Sequence, residues 1–407
     1  MKEFLKTISY IEWENLLDKI EFNNDYIISS IFTAQNHISF ENIFAKENIP
    51  GFSRSTVDGY AVKSEDVKGA SASIPSVLKI IGEIKMGEIS EIKLNSGEAA
   101  KISTGGAIPE GADGVVMIEN CEESDEWVEI YSSVGKGENI ILFDEDYGKG
   151  EIIVNKGEIL NNNSIQALIA SGIYSLKIYK KLKIGIISTG DEIIDYKTKT
   201  REKGQIRDTN SFILSRLLEE MNETVVFLGI IKDDYNELHN IIEKNLNKFD
   251  LFLISGGSSM GTRDITYDVL SGFSKILFHG MRVSPGKPVI FGEGENKIFV
   301  GLPGHPLSSF ISAYTIVLPL VLKMEGGNNY KITPSGYLPV DRNLSKKVGR
   351  ESFIPSIKYK KDNGYFVRPL LGESGLISLI KESTGFIRIS ENKEGVYEGE
   401  EVEYYEF

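Results

Sequence analysis

The residues best suited to chemistry form a short polar segment, Ser188-Thr189-Gly190-Asp191-Glu192, which directly follows the apolar run "LKIGII". A glycine lets the backbone turn close to a ligand, and serine and threonine hydroxyls can donate to phosphate oxygens. The two carboxylates could orient a cation or a ribose hydroxyl. The segment predicts part of a ligand site, although a surface turn with a helix-capping aspartate fits the same residues.

A second polar segment runs from Ser255 to Asp264, "SGGSSMGTRD", directly after the apolar run "DLFLI". Its small residues can present successive backbone N–H groups to an anion, and Asp264 could hold Mg²⁺ through phosphate or water. The candidate ligand contacts here are Ser255, Gly256, Gly257, Ser258 and Gly261, with Arg263 adding positive charge. A merely flexible loop is the alternative, but glycines placed directly after a strand pattern favour an anion site.

Two further segments, "RVSPGKP" at Arg282 to Pro288 and "GLPGHPLSS" at Gly301 to Ser309, carry the third group of candidates. Lys287 lies between a glycine and a proline, so a stiff turn would fix its ammonium for contact with phosphate. The N-terminal amides of the helix that follows Pro306 would also favour an anion. The candidate ligand contacts are Arg282, Ser284, Gly286, Lys287, Gly304, His305 and Pro306. The histidine fits a local hydrogen bond at the helix start equally well.

The remaining motifs narrow the chemistry. Asp233 and Asp234 follow the strand pattern "TVVFLGII", where they could bind metal or ligand or simply form a solvated turn. The four histidines and Cys121 show no spacing for a zinc site. No GxGxxG follows a strand pattern and no Walker A motif occurs, so dinucleotide redox chemistry and a P-loop ATPase are not favoured.

These segments must be positioned by the strand and helix patterns around them. From Lys181 to "PLSSFISAYTIVLPLVLKM", strand-like and helical apolar runs alternate. Such alternation predicts a mostly parallel sheet covered by helices, with ligands at the carboxyl ends of the strands. After Gly326 and Gly327, β-type alternation predicts a small barrel or open β domain.

The first half of the chain has a different organisation. Residues Ser9 to Phe40 show apolar residues at helical spacing, and short β patterns separated by glycine turns follow from Pro50 to about Gly150. A capped helical pattern, "NNNSIQALIASGI", comes next. The chain as a whole is therefore predicted to be a multi-domain α/β protein with a β-rich unit inserted into its first unit.

Composition excludes several classes of function. The 407 residues carry 59 acidic and 45 basic side chains, a net charge of −14, which opposes binding to nucleic acid or to an anionic membrane. A single cysteine excludes an intrachain disulfide and favours a reducing compartment. Met1 to Tyr10 lacks a signal-peptide pattern, and the apolar stretch Phe310 to Leu322 is short for a membrane span. We expect a cytoplasmic protein without nucleic-acid or membrane partners.

Taken together, the motifs resemble those of the molybdopterin molybdotransferase family, the molybdenum-inserting enzymes related to the E domain of gephyrin. The matching pieces, in the family's order, are "STVDGYAV", "KISTGGAIPEGADGVVMIE", "GENI…DEDYGKGE", "STGDEI", "GQIRDTN", "SGGSSMGTRD", "SPGKP" and "GLPGHPLSS". They cover about residues 50 to 310, and the β-type tail fits the family's last domain. Eight ordered motifs are far more specific than any one of them.

The resemblance implies an elongated homodimer with four domains per chain and a cleft between the central domain of one subunit and the N-terminal half of the other. The implied domains are a discontinuous linker and dimerisation domain at 1–45 and 147–178, an inserted β-rich domain at 46–146, a molybdopterin- or nucleotide-binding α/β domain at 179–326, and a C-terminal β domain at 327–407. The implied substrates are adenylylated molybdopterin and molybdate, with Mg²⁺ as cofactor and AMP as product. The implied partners are the molybdopterin adenylyltransferase and molybdoenzyme maturation factors.

Carried over position by position, the resemblance implies a set of catalytic residues on two sides of the cleft. These are Asp58, Thr104 and Asp146 from the N-terminal half, and Glu192, Asp234, Asp264 and Lys287 from the central domain, with Asp191, Glu192 and Asp264 as metal ligands. Ser284 stands where a basic residue is common, so either Arg282 replaces its charge or one phosphate contact is absent. His305 replaces the usual asparagine, and the basic residues common after "ENI" are Ile141, Leu142 and Phe143, followed by Asp144 in place of glycine.

Two other functions fit parts of the chain. The central domain type also occurs in molybdopterin adenylyltransferases and in nucleotide pyrophosphatases, but their central domains lack the "VDGYAV" and "TGG…PEGAD" segments found here. A non-catalytic scaffold would not need a set such as Asp58, Asp146 and Lys287. Molybdenum insertion is therefore the preferred interpretation.

Overall fold

A computed structural model describes residues 7–22, 24–88, 91–256, 264–361 and 364–407. The chain begins with helix α1 (Tyr10–Lys19), capped by Ser9 in a capping box. Its Trp13 packs edge-on against Phe278 and Phe291 of the central sheet, at ring-centroid distances of 5.9 and 5.2 Å. The helix therefore belongs to the core of the central unit, although the sequence placed it in the linker domain.

The first half of the chain is mostly strand. Its elements are β1 (Tyr26–Ser30), β2 (Ile43–Phe44), β3 (Arg54–Ser55), β4 (Gly59–Val62), β5 (Ser76–Ile84), β6 (Glu98–Ile102), β7 (Gly114–Met117), β8 (Cys121–Ser124), β9 (Trp127–Ile130), β10 (Ile140–Ile141), β11 (Ile152–Val154), α2 (Asn162–Ala170) and β12 (Ser175–Tyr179), with short 3₁₀ helices at Ile31–Thr33, Ser64–Val67 and Ile118–Asn120. β1 pairs antiparallel with β12 and β2 with β11, so residues 26–44 and 152–179 share one small core. The helical structure predicted from Ser9 to Phe40 is confirmed at α1 but is wrong at Tyr26–Ser30, where β-branched isoleucines form β1 and pair with β12.

The inserted β unit is organised around a mixed sheet. Its strand order among the described residues is β7-β4-β6-β5-β9-β8. Alternate side chains of these strands, such as Tyr60, Val116 and Val128, are buried inside the unit. This confirms the β-rich insertion predicted from the glycine-separated strand patterns, while its boundaries at residues 46 and 146 stay a prediction.

The central unit alternates strands and helices. Its elements are β13 (Lys183–Thr189), β14 (Ile193–Ile194), β15 (Ile206–Arg207), α3 (Asn210–Glu220), β16 (Thr224–Ile231), α4 (Tyr235–Asn245), β17 (Leu251–Ser255), α5 (Ile265–Phe273), β18 (Lys275–His279), β19 (Val283–Ser284), β20 (Ile290–Gly294) and β21 (Lys297–Leu302). Its sheet runs β16-β13-β17-β21-β20-β18, parallel through β21 and antiparallel at the last two strands. Because both faces are covered, β17 is buried along its whole length. The predicted mostly parallel sheet is confirmed.

A long apolar helix closes the central unit. It runs from Pro306 to Met324 as α6 (Pro306–Ser312), a π-helical turn (Ala313–Val317) and α7 (Leu318–Met324). Its 19 residues are long and apolar enough for a membrane span, and the helix is longer than the apolar stretch Phe310 to Leu322 noted in the sequence. However, 78% of its apolar window is buried inside the protein. The helix thus packs as a core helix of the central unit.

The C-terminal unit is a small β structure. Its elements are β22 (Gly336–Pro339), β23 (Leu344–Ser345), β24 (Glu351–Lys361), β25 (Gly364–Pro369), α8 (Ile377–Glu382), β26 (Gly385–Ile389), β27 (Gly395–Val396) and β28 (Glu401–Glu406). Its sheet follows the order β19-β24-β26-β28-β22, so it includes one strand, β19, that comes from the central segment of the chain. The two units therefore share a backbone ladder as well as apolar contacts.

Candidate active site

Three of the predicted loops meet at the carboxyl edge of the central sheet. β13, β17 and β21 are adjacent parallel strands that end at Thr189, Ser255 and Leu302. The N–H of Gly256 donates to the carbonyl of Leu302 at 3.2 Å, and Asn210 Nδ2 donates both to Ser255 Oγ and to the carbonyl of the glycine at 304, each at 2.9 Å. The loops that follow Thr189, Ser255 and Leu302 thus lie side by side, as their positions after parallel strands predict.

The closest backbone approach at this edge requires glycine at position 256. Its φ of +109° is unfavourable for other residues, and a β-carbon there would lie 2.0 Å from the carbonyl oxygen of Thr189. We expect Gly256→Ala to lower the free energy of unfolding by about 1–3 kcal/mol, through overpacking and backbone strain. Chemical denaturation measures it. Gly204→Ala is the control, since Gly204 has a φ of +95° with open space around it. Equal losses in the two variants would show that the contact with Thr189 is unimportant.

A cavity of about 730 Å³ opens between the central and C-terminal units. Its central wall is the turn 283–288 and the start of α6, and its other wall is formed by residues 344–346, 350, 352–355 and 370–374. Three cations, Lys287, Lys346 and Arg350, line it together with His305. Within the described residues, no carboxylate lies within ion-pair distance of the Lys287 or Arg350 side chains. The cavity therefore combines a concave shape with two cations that have no ion-pair partner among the described residues, although the carboxylates Glu192, Asp233 and Glu373 also line it.

The two walls are joined through the backbone. Val283 and Ser284 of β19 pair in parallel register with Glu351 and Ser352 of β24. The turn that carries Lys287 begins directly after β19. The strand paired with β19, which is β24, begins directly after Arg350. The predicted stiff turn is thus anchored to the opposite wall of the cavity.

Lys346 is the most constrained cation of the cavity. Its ammonium donates to the carbonyl of Arg350 at 2.8 Å, and its side chain is half-buried. Burial lowers the pKa of Lys346, and the carboxylates of Glu351 and Glu391 oppose that effect. An anion in the cavity would restore the stabilisation that burial removes from the charged amine.

A patch of carboxylates borders the same cavity. Glu192 and Asp233 line it, and the N–H of Asp233 approaches Asp191 Oδ1 at 3.4 Å. Partial desolvation of Asp233, followed by the charges of Asp191 and Glu192, raises the pKa of Asp233. The two charge signs thus occupy neighbouring parts of one cavity.

Two predicted catalytic aspartates cap helices. Asp234 Oδ1 accepts from the N–H of Glu237 at the start of α4, and Asp264 Oδ1 accepts from the N–H of Tyr267 at the start of α5. Neither lines the cavity, whereas Asp233, the neighbour of the first, does. Of the two aspartates in the "KDD" segment, Asp233 is therefore the one placed to face a ligand in the cavity.

The hydroxyls at the end of β13 are also engaged. Ser188 Oγ donates to the buried Asp208 at 2.6 Å, and Asp208 in turn accepts from the N–H of Ser211 in the first turn of α3. The Thr189 hydroxyl is buried and has no hydrogen-bond partner among the described residues. Ser188 therefore positions a loop, while Thr189 keeps a donor available at the sheet edge.

Arg282 and His305 have other partners. The guanidinium of Arg282 lies 3.5 Å from Glu12 and 3.6 Å from Glu391, so it does not line the cavity and does not replace the basic residue missing at Ser284. His305 Nδ1 is 2.7 Å from Ser374 Oγ of the C-terminal unit. The charge expected near position 284 comes instead from the C-terminal wall.

The N-terminal candidates form a separate group. Asp58 Oδ1 accepts from the N–H of Thr104 at 2.8 Å, which brings two of them together, and Asp146 donates its N–H to the carbonyl of Ile49. All three side chains are exposed, and none of them lines the 730 Å³ cavity of the same chain. Gly190, Gly286, Gly304 and Pro306 belong to the central loops, whereas Gly257, Ser258 and Gly261 lie outside the described residues.

No group of three or more histidine, cysteine, aspartate or glutamate side chains is arranged to hold a metal ion in the described parts of the chain. Asp191 and Glu192 stay with Asp233, while Asp264 turns its second oxygen towards His279. The predicted magnesium ligands are therefore not assembled as one all-protein cage.

Sequence reasoning missed Lys346 and Arg350, and it placed Asp234 rather than Asp233 among the catalytic residues. The first two lie in "SKKVGR", which resembles a solvated charged turn and precedes β24 by only a few residues. The sequence does distinguish the two aspartates. Asp234 is followed three residues later by Glu237, which is a helix-capping pattern, and Asp233 is not part of that pattern.

Family models match nearly the whole chain. The MoeA N-terminal region, comprising domains I and II, matches residues 11–172, and a probable molybdopterin binding domain matches residues 185–323. The MoeA C-terminal region, domain IV, matches residues 337–407.

Relatives of known name and structure are similar over the same length. A putative molybdopterin biosynthesis protein of Methanocaldococcus jannaschii is 34% identical over 98% of this chain and 97% of its own. The molybdopterin molybdenumtransferase of Haemophilus influenzae is 33% identical over 95% of each chain. The crystal structure of the molybdopterin biosynthesis MoeA protein from Pyrococcus horikoshii OT3 is 31% identical, with a TM-score of 0.82 over 98% of this chain and 99% of that one. The chain therefore belongs to the molybdopterin molybdenumtransferase family, the transferases of molybdenum cofactor biosynthesis.

Proposed function

We propose that this enzyme transfers molybdenum from molybdate to adenylylated molybdopterin, with Mg²⁺ as cofactor and release of AMP. The observation that carries the proposal is the cavity in which Lys287, Lys346 and Arg350 face one another across two units. Its volume of about 730 Å³ lies within the range of ligand sites, and both substrates are anions. Cleavage of a phosphoanhydride depends on positioning and charge neutralisation, so a nucleophilic triad is not required.

The cavity resolves the conflict between an acidic protein and anionic substrates. The net charge of −14 repels anions at long range, but an unpaired cation inside a concave site acts at short range, where screening by salt is weak. Arg350 can present two parallel donors to an oxyanion, while Lys287 acts as a point charge. Ser374, which borders the cavity beside His305, adds a hydroxyl donor.

The carboxylates next to these cations fit a magnesium site that is completed by substrate. Mg²⁺ is usually held by one or two carboxylates together with phosphates and waters, rather than by an all-protein cage. Asp191, Glu192 and Asp233 supply such carboxylates at the rim of the cavity. When bound there, the ion would neutralise phosphate charge, and the raised pKa of Asp233 would fall as its carboxylate gained a cationic neighbour.

We expect Glu192→Gln and Asp233→Asn each to raise the Mg²⁺ concentration for half-maximal AMP release by about tenfold, the effect of one lost charge contact. A magnesium titration of initial rates measures this. Asp195→Asn is the matched control, because Asp195 is an exposed carboxylate of the same segment that does not line the cavity. A magnesium requirement identical in all three variants would remove these carboxylates from the metal site.

The N-terminal candidates complete the proposal if the enzyme is a homodimer. Asp58, Thr104 and Asp146 are exposed and lie off the cavity of their own chain, so the partner's copies would be the ones that face it. The proposed setting is the cytoplasm, with the molybdopterin adenylyltransferase supplying substrate and molybdoenzyme maturation factors receiving product. Nucleic acid and membrane are not proposed as partners.

The deciding experiment follows AMP release from adenylylated molybdopterin and Mg²⁺, with and without molybdate. The proposal predicts AMP release that requires molybdate and a product that carries molybdenum. AMP formation at the same rate without any oxyanion would instead support a nucleotide pyrophosphatase. Absence of AMP in both arms would contradict the proposed reaction altogether.

A further inference from the structure

One buried polar pair, Asp264 and His279, has no role in the function proposed above. Asp264 and His279 are only 7% and 4% exposed, and neither lines the cavity. The distance from His279 Nε2 to Asp264 Oδ2 is 3.2 Å. Among the described residues, this oxygen and both imidazole nitrogens have no well-aligned hydrogen-bond partner. Buried polar groups of this kind are costly unless they satisfy each other, so their mutual contact is the interaction to explain.

Helix α5 holds the imidazole from two directions. Asp264 is the residue that caps this helix, and its Oδ1 accepts from the N–H of Tyr267 at 3.0 Å. The ring of the same Tyr267 stacks on the imidazole of His279, with centroids 5.1 Å apart and planes 17° from parallel. The histidine ring is thus held by stacking, with Nε2 3.2 Å from the Asp264 carboxylate oxygen.

The strand that carries the histidine leads directly to the Lys287 turn. His279 ends β18, and the next two residues bond to the other side of the turn. The N–H of Gly280 donates to the carbonyl of Val289 at 2.7 Å, and that of Met281 donates to the carbonyl of Lys287 at 2.8 Å. His279 therefore lies two positions before Met281, whose N–H bonds directly to the carbonyl of Lys287.

We propose that His279 is a positioning residue for the active site: its ring stacks on Tyr267 and its Nε2 lies 3.2 Å from the buried Asp264 carboxylate, and these two contacts tie the start of α5 to the strand that places Lys287. The inference rests on the proposed function, because Lys287 is the group that acts on substrate.

The test compares two substitutions that differ in shape and in polarity. His279→Phe keeps an aromatic ring to stack on Tyr267 and removes the donor, while His279→Gln keeps a neutral N–H donor at similar reach. The Kd of AMP, measured by calorimetry, is expected to rise about tenfold in the first variant, the size of a lost hydrogen bond to a charged group. It is expected to stay within about threefold of the wild-type value in the second. The KM for adenylylated molybdopterin should rise in parallel, with kcat less affected.

A double-variant cycle with Lys287→Ala identifies the path of the effect. If His279 acts through the Lys287 turn, His279→Phe in that background should weaken AMP binding by no more than about a further twofold. Full multiplication of the two effects would contradict the path. A folded His279→Phe enzyme that binds AMP as the wild type does, with only its unfolding temperature lowered, would reduce the histidine to a packing residue.

Two further comparisons separate an effect on folding from an effect on function. Should His279→Phe not fold with Asp264 unpaired, His279→Phe combined with Asp264→Asn removes the buried charge and keeps an oxygen to cap α5, so the same AMP measurement applies. Failure of the wild-type enzyme to release AMP with molybdate would sink the proposed function. If the wild-type enzyme is active and the His279→Phe variant has the same kinetic constants, only the inference about His279 is contradicted.

Discussion

Lys181→Met should lower the free energy of unfolding by about 3–5 kcal/mol, because it leaves the buried Glu223 carboxylate, and the Glu325 carboxyl beside it, without their shared cation. The Lys181 ammonium lies 3.1 Å from Glu223 Oε1 and 2.9 Å from Glu325 Oε2, and the three side chains are only 12%, 0% and 1% exposed. Glu223 also accepts from the N–H of Leu182 at 2.8 Å. The cluster joins the points where the chain enters and leaves the central unit.

The pH dependence of this cluster has a definite sign. Burial, followed by the charge of Glu223, raises the pKa of Glu325 from about 4.5 to about 9. The folded state therefore keeps a proton that the unfolded state releases above about pH 4.5. The stabilisation from this group is fully present below that pH and is lost progressively as the pH rises through about 9. The slope from one such proton is at most about 1.4 kcal/mol per pH unit.

Glu325→Gln is the matched control for the lysine substitution. Glutamine resembles the protonated carboxyl in shape and carries no titratable proton, so the unfolding free energy between pH 5 and 9 should fall less steeply than in the wild type. Urea denaturation followed over that pH range measures both variants. A Lys181→Met loss below about 1 kcal/mol, or an unchanged pH slope in Glu325→Gln, would contradict the assignment of one cation and one retained proton to this cluster.

Combined replacement of the two cations that face each other across the cavity should give the largest loss of activity. Lys287→Ala and Arg350→Ala are each expected to lower kcat/KM for AMP release by about 10- to 100-fold, since a hydrogen bond to a charged group contributes about 1.5–3 kcal/mol. The double variant should lose about 10³-fold, with less than full additivity if both contact one anion. Steady-state kinetics with molybdate and adenylylated molybdopterin varied in turn show which substrate each cation holds.

Lys347→Ala is the control for charge alone. Lys347 is an exposed lysine between the two cavity residues Lys346 and Arg350, but it does not line the cavity. It changes the net charge as much as either single variant does, so a kcat/KM close to that of the wild type is expected. A double variant that keeps its activity within threefold of Lys347→Ala would mean that the substrates bind elsewhere.

The central sheet and its ligand edge could be predicted from sequence because the signals are local. Apolar runs such as "LKIGII" and "DLFLI" are strands, and parallel strands bring their carboxyl ends to one edge, which placed Gly190, Gly256 and Gly304 together. The turn at Lys287 was predictable from "PGK" for the same reason. Helical spacing misled at Ile27 and Ile28, since pairing with β12 overrides a weak local preference.

The second wall of the cavity could not be predicted, because it depends on long-range pairing. Arg350 is 63 positions after Lys287 in the chain, and nothing near it indicates that β24 will pair with β19. The partners of Arg282 and Asp264 were hidden for the same reason, since Glu391 and His279 become neighbours only in the folded chain. Local patterns identify the candidate groups, and tertiary contacts decide which of them face the ligand.

The strand Val283–Ser284 has a practical consequence for dissecting this enzyme. It belongs by sequence to the central segment but by hydrogen bonding to the C-terminal sheet, where it is the edge beside Glu351. A fragment truncated after Met324 would therefore leave that ladder unpaired and uncover apolar surface that Phe353, Phe386 and Tyr405 now protect. Such a fragment would be prone to self-association rather than being a minimal nucleotide-binding module.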